Sequence, residues 1–217
     1  MGSPLRDRRV LSDAGLKRLE AAIASAEAAT SCEFIVVLAP ASSRYEGKTL
    51  KAGAAVALLV FIALYWVHFF TTGRPDALWL LAEACVAGAC AAFAVARMPA
   101  LQRLFIPRAQ MHAAVTQAAG SVFHEQNASF TEERNAALLY VSVLEGEARL
   151  LADVQLERKV KEARLNEVLA ALLNHKGEAI EGLEDAIAQL GRLCAESFPR
   201  AAGDVNELPD RPIIRLP

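Results

Sequence analysis

Four oxygen-bearing side chains could hold a hard cation. Asp153 stands just past a predicted strand, and Glu132, Glu133 and Asn135 stand in the loop before another. Carboxylate and amide oxygens are what calcium or magnesium accept. Ligands in open α/β sheets gather outside strand ends. If the two ends converge, these four residues are the expected metal set, and calcium or magnesium the expected ion. The alternative is that Glu132 and Glu133 are solvated and Asp153 caps the next helix.

Other chemistry finds less support. Gly47-Lys48-Thr49 follows a predicted strand, as a phosphate-binding loop would, but Ser42 occupies the place of the glycine five residues earlier. The lysine then reads as a basic flank. The sequence has no GxSxG, HExxH or zinc-ligand spacing. The four histidines, 68, 112, 124 and 175, are scattered. His124 and Glu125 are adjacent on a predicted helix and point apart. The cysteines at 32, 85, 90 and 194 form no CxxC and read as reduced packing residues. Asp204, Glu207 and Asp210 form an acidic tail, either solvated or attractive to a partner. A net charge of −2 gives no reason to expect a nucleic-acid partner.

The elements around these residues are unusual in hydropathy. The chain is 54% hydrophobic, and the excess lies in two runs. No charged side chain occurs between Lys51 and Arg74, and only Glu83 between Asp76 and Arg97. Each run suffices for about 20 helical residues, the thickness of a bilayer core. The expectation is a transmembrane hairpin over 50–97, with helices at about 52–71 and 77–96 and a turn made by Gly73 and Pro75. The lipid bilayer is then an obligatory partner. Arg44, Lys48 and Lys51 flank one end, and Arg97, Arg103 and Arg108 the other, whereas the turn holds only Arg74. The positive-inside rule places both termini in the cytoplasm, in a multi-pass protein of the cell (inner) membrane. The basic, polar N-terminus does not read as a secretory signal.

Glu83 is costly at that depth, and Tyr65 and His68 are the polar groups expected nearest it. The three residues read as an intramembrane polar site or, more simply, a hydrogen-bonded staple or subunit contact. Ala84, Gly88 and Ala92 form a small-xxx-small stripe, serving the hairpin itself or contact with a second copy.

The flanking segments read as one split domain, 1–45 and 109–199, followed by an extended tail over 200–217. Leu11–Ala29 is an amphipathic helix capped by Ser12, and Glu33–Ala39 a strand covered on both faces. Beyond the hairpin come a helix over Ala109–Gln126, strands over Ala137–Leu144 and Ala148–Ala152 around a Glu145-Gly146 turn, and helices over Leu156–Leu173 and Ile180–Phe198. The fold class is α/β, a layered core with a few-stranded central sheet interrupted by the hairpin.

The segments LSDAGLKRLEAAIASAEAATSCEFIVVL, FTEERNAALLYVSVLEGEARLLAD and KVKEARLNEVLAALLNHKGEAIEGLEDAIAQLGRLCAESFP, with the trailing GDVNELPD, resemble the TPM domain family of thylakoid-lumen, photosystem-repair and receptor-modulator proteins. The resemblance implies a small α/β/α sandwich. Some members bind divalent cations, some plant members are described as acid phosphatases, and others look like assembly or auxiliary factors of membrane complexes. Here Asp153 stands where the family usually has a glycine-rich turn after the third strand. The leading expectation is a non-catalytic binding, assembly or repair factor that contacts another membrane protein or a second copy of itself. The alternative is a divalent-cation-dependent phosphatase acting on phosphomonoesters.

Overall fold

The computed structural model describes residues 4–71, 77–126, 133–200 and 208–217. Its elements run α1 (Asp13–Glu27), β1 (Phe34–Ala39), α2 (Glu46–Thr71), α3 (Ala77–Arg97), α4 (Pro99–Phe105), α5 (Arg108–Glu125), β2 (Ala137–Ser142), β3 (Glu147–Ala152), α6 (Val154–Lys159), α7 (Glu162–Leu173), α8 (Ala179–Ala195) and β4 (Ile213–Ile214). Two compact units result. Residues Met1–Ser43 and Met111–Pro217 form one, and Arg44–Gln110 the other.

The first unit is a mixed α/β fold around a four-stranded sheet of order β3-β2-β1-β4. β1 runs parallel to β2 and β4, and β2 and β3 form an antiparallel hairpin. Gly146 makes that hairpin's turn with φ 67°, a left-handed conformation open to glycine at little cost. β1 is central and wholly buried, which is why its sequence is apolar without alternation. Phe34, Val36 and Leu38 pack with Leu19 and Ile23 of α1, Val168 and Leu172 of α7, and Leu183 and Ile187 of α8. Ile35, Val37 and Ala39 face the other way, onto Val115, Ala119 and Val122 of α5. Ser12 caps α1, its Oγ accepting from Gly15 N at 3.1 Å.

Three sequence expectations change. The helix expected over Leu156–Leu173 is two helices, because Val160 and Lys161 are extended and Val160 is turned into the core. The end of the tail, residues 208–217, is not merely extended. Ile213 and Ile214 pair with Val37 and Leu38 as an edge strand, and Arg215 N donates to Leu38 O at 3.0 Å. The polar N-terminal segment buries Leu5 and Val10 through two short 3-10 turns, Pro4–Arg6 and Arg8–Leu11.

The second unit pairs α2 with α3, antiparallel, and closes with α4. α2 has 26 residues and α3 has 21, with mean hydropathies of 2.1 and 2.0 over their most apolar stretches. Both are long and apolar enough to cross a membrane. α3 continues one residue past the expected bound, and α2 begins at Glu46, so Lys48 and Lys51 are helical. The expected turn over residues 72–76, with Gly73, Arg74 and Pro75, lies outside the described residues.

Candidate functional site

Asp153 ends the β2–β3 hairpin and starts α6. Its Oδ1 accepts from Val154 N at 2.7 Å, so it is the helix cap that the sequence offered as an alternative. Both of its oxygens also engage the Arg134 guanidinium, at 3.2 and 3.3 Å. Arg134 holds φ 50°, a rare conformation for a residue with a Cβ. Asn135 is buried and donates its amide to Ser31 O at 2.8 Å and to Glu133 Oε2 at 3.0 Å; Ser31 Oγ donates to the same Glu133 oxygen at 2.8 Å. Glu132 lies outside the described residues. Asp153 is thus matched by a cation of the protein's own, and Asn135 and Glu133 tie the β2 approach to the β1 approach. Among the described residues no group of three or more His, Cys, Asp or Glu has metal-site geometry. Among the described residues, Glu133, Asn135 and Asp153 turn to protein partners rather than to a shared ion position.

A second acidic pair was not foreseen at this end of the sheet. Glu27 Oε1, at the end of α1, accepts from Phe34 N at 2.8 Å, and Glu27 is hydrogen-bonded to Asp210 of the tail. Burial pushes the Glu27 carboxyl up to about 8, reinforced by Glu33 and Asp210 and opposed by the Phe34 N–H. A carboxyl–carboxylate hydrogen bond needs one proton between the two groups. Leu208 N donates to Glu33 Oε2 at 3.2 Å. The tail expected to be solvated or a lure is therefore fastened at Asp210 to Glu27 of α1 and at Leu208 to Glu33 just before β1, whereas Asp204 and Glu207 lie outside the described residues.

The opposite, carboxyl end of β1 and β2 carries a closed hydroxyl–carboxylate network. Ser42 Oγ donates to Ser142 Oγ at 2.8 Å, Ser142 Oγ donates to Glu145 Oε2, and Ser42 N donates to Glu145 Oε1 at 3.0 Å. Tyr140 Oη lies 3.1 Å from Ser42 Oγ, and burial pushes its phenol above the usual range. Among the described residues, the partners of Ser42 and Ser142 here are a tyrosine, a serine and a carboxylate rather than the histidine of a catalytic triad. The network fixes Ser42 shortly before the chain leaves for α2. Ser42, Ser142 and Glu145 are ordinary polar residues in sequence, and only the β1–β2 register, with Ala39 opposite Ser142, assembles them.

In the hairpin the small-residue stripe has a definite partner. Gly88 faces Gly53 and Ala57 of α2, and Ala92 faces Gly53. A Gly53-xxx-Ala57 stripe therefore meets Gly88 and Ala92 of the expected stripe, and Ala84 is buried as well. Carried along the helices, this pairing sets Glu83 about level with Val60. Tyr65 is then about 7.5 Å and His68 about 12 Å further along α2, at 1.5 Å per residue. Glu83 Oε2 is buried with no hydrogen-bond partner among the described residues. His68 Nδ1 lies 3.0 Å from Leu64 O of its own helix, and Tyr65 stacks on Phe69. No Glu83–Tyr65–His68 hydrogen-bonded site forms among the described residues.

The chain is, on these grounds, a mixed α/β protein with two long apolar helices inserted between its first strand and the rest of its sheet. No family model and no curated protein matches it. Among solved structures it is similar to the NMR structure of the BA42 protein from the psychrophilic bacterium Bizionia argentinensis, at 18% identity over 94% of each chain, with a TM-score of 0.57. That similarity is one of fold.

Proposed function

We propose that this is an integral membrane protein whose α2–α3 hairpin spans the cell (inner) membrane. Its TPM-like α/β domain and both termini are held in the cytoplasm, where it binds, assembles or repairs a membrane complex without catalysis. One observation carries the reading. Only 6% of the apolar stretch of α2 and 22% of that of α3 is buried, and Phe70, Trp79 and Phe93 are among the side chains left exposed. Water would penalise such a surface at about 25 cal/mol per Å². A bilayer accepts it, and an α-helix satisfies its own backbone there. Arg44, Lys48, Lys51 and Arg97 lie at the ends where the inside rule wants them. The two-faced, helix-covered sheet agrees with the sandwich that the family resemblance implies.

The non-catalytic part is supported by Asp153, the residue on which a cation-dependent phosphatase would depend and which Arg134 neutralises. Membranes washed with alkaline carbonate should retain the protein, and detergent should release it. Tags at either terminus should resist protease added outside intact cells. Release by carbonate alone overturns the membrane assignment. The purified protein should leave a generic phosphomonoester intact with calcium, magnesium or manganese. Hydrolysis that is lost in Asp153→Asn overturns the non-catalytic assignment.

A further inference from the structure

The stretch that carried the failed phosphate-loop spacing lines a cavity of about 190 Å³ bounded by Arg44, Tyr45, Gly47, Lys48, Lys51 and Gln110. All six residues belong to the hairpin unit. Lys48 and Lys51 are three residues apart in α2 and so share a face. A Cβ on Gly47 would meet nothing within 4 Å, which leaves the backbone open beside them. Gln110, near the start of α5, brings an amide to the same cavity from the chain that returns after α4. Three cations therefore line a concave surface, and Glu46 is the one carboxylate in residues 44–51.

The depth of this cavity bears on its occupant. Ala52 begins the charge-free run immediately after Lys51, and Gly53 packs against Ala92, five residues before Arg97. The cavity thus sits where α2 changes from charged to apolar, at the end of the hairpin shared with Arg97.

From this juxtaposition we infer that the Arg44–Lys48–Lys51–Gln110 cavity is a binding site for the phosphate headgroup of an anionic phospholipid in the leaflet that holds the hairpin's charged end. It rests on the membrane assignment above and adds a ligand to it. Lysine ammonium groups bind phosphate as compact point charges, and arginine adds planar paired donors. The Gln110 amide supplies a neutral donor. Charge complementarity with an anionic headgroup selects the lipid, and the adjoining apolar run accommodates its acyl chains.

Full-length protein in neutral detergent micelles is titrated with short-chain phosphatidylglycerol, phosphatidylcholine or inorganic phosphate, and binding is read by calorimetry. Phosphatidylglycerol should bind and phosphatidylcholine should not. Lys48→Gln with Lys51→Gln should weaken phosphatidylglycerol binding roughly 30-fold, from about 1 kcal/mol per lysine near an anionic surface. Lys48→Arg with Lys51→Arg should retain it, which separates lost charge from lost folding. Lys17→Gln with Lys176→Gln, in the other unit, should leave it unchanged. Undiminished binding in the double glutamine variant overturns the site, and inorganic phosphate binding equally well overturns the lipid as ligand. If the protein floats with phosphatidylcholine vesicles yet shows no phosphatidylglycerol preference, this inference alone fails. If it stays soluble without detergent and floats with neither, the membrane assignment fails with it.

Discussion

Gly88 and Gly53 meet backbone to backbone. A Cβ on Gly88 would stand 2.9 Å from the Gly53 carbonyl oxygen and 2.7 Å from Ala57 Cβ, and a Cβ on Gly53 would stand 2.8 Å from Gly88 O. Apolar side chains add little net attraction between helices that already sit in lipid, so close approach through small residues is what holds such a pair. Gly88→Val should therefore loosen the hairpin, with an overpacking cost of about 1–3 kcal/mol. Gly120→Ala on α5, where a Cβ meets nothing within 4 Å, should stabilise slightly or be neutral. Both are read from unfolding midpoints in mixed detergent micelles.

Stability of the α/β unit should fall as pH rises from about 4.5 to about 8. Burial raises the Glu27 carboxyl from an unfolded value of 4.5 to about 8, so the folded state prefers the protonated form. That preference contributes fully below 4.5 and is lost as pH passes through 8. Glu27→Gln keeps an oxygen for the Phe34 N–H and a donor for Asp210. It should flatten the pH dependence and leave the variant more stable than the parent at pH 9, by denaturant midpoints across the range. A parent-like slope in the variant would assign the dependence elsewhere.

Asp153→Ala removes the cap on Val154 N and the partner of Arg134 together. Loss of the cap alone costs about 1 kcal/mol. Asp153→Asn keeps an oxygen at the cap and should lose less, so the alanine variant should show the lower urea midpoint.

Truncation after residue 207 should expose the outer edge of β1. It removes the Arg215 N–Leu38 O and Leu208 N–Glu33 bonds and the Arg215–Glu125 ion pair. Burial of Val37 and Leu38 on both faces makes this edge sticky once unpaired. Faster amide exchange in β1 and more light scattering at matched concentration are expected.

Cys32 and Cys194 are both buried, and their thiols are in hydrogen-bonding contact, which together with burial pushes the Cys194 thiol far above the usual range. Since the thiolate is the reactive form, maleimide at pH 8 should spare both residues in the native protein and label them after unfolding, as read by peptide mass mapping. Prompt native labelling would contradict the buried placement of the loop before β1.

Particular residues show how far the sequence could be followed. The run FIVVLA reads as a strand covered on both faces, and it is one. Ser12 reads as a cap and acts as one. Asp153 fitted both a cap and a cation ligand, because both uses draw on the same oxygens; in the fold it caps α6 and pairs with Arg134, 19 residues earlier. Gly88 reads as a packing residue, but Gly53 and Ala57 pass unnoticed among many small residues in α2. The break at Val160 is hidden because the apolar spacing of a helix continues through it.

The sequence by itself determined which surfaces are apolar: two long runs, one buried strand and the inward stripes of α1, α5, α7 and α8. Hydrophobic periodicity is local, and it repeats every two or 3.6 residues whatever the rest of the chain does. Only the tertiary structure decided which polar groups meet. Glu27 with Asp210, Ser42 with Ser142 and Glu145, and Ile213–Ile214 beside β1 join residues about a hundred or more positions apart. A hydrogen bond is directional and short, so such pairs exist only once the sheet register and helix packing have fixed both ends.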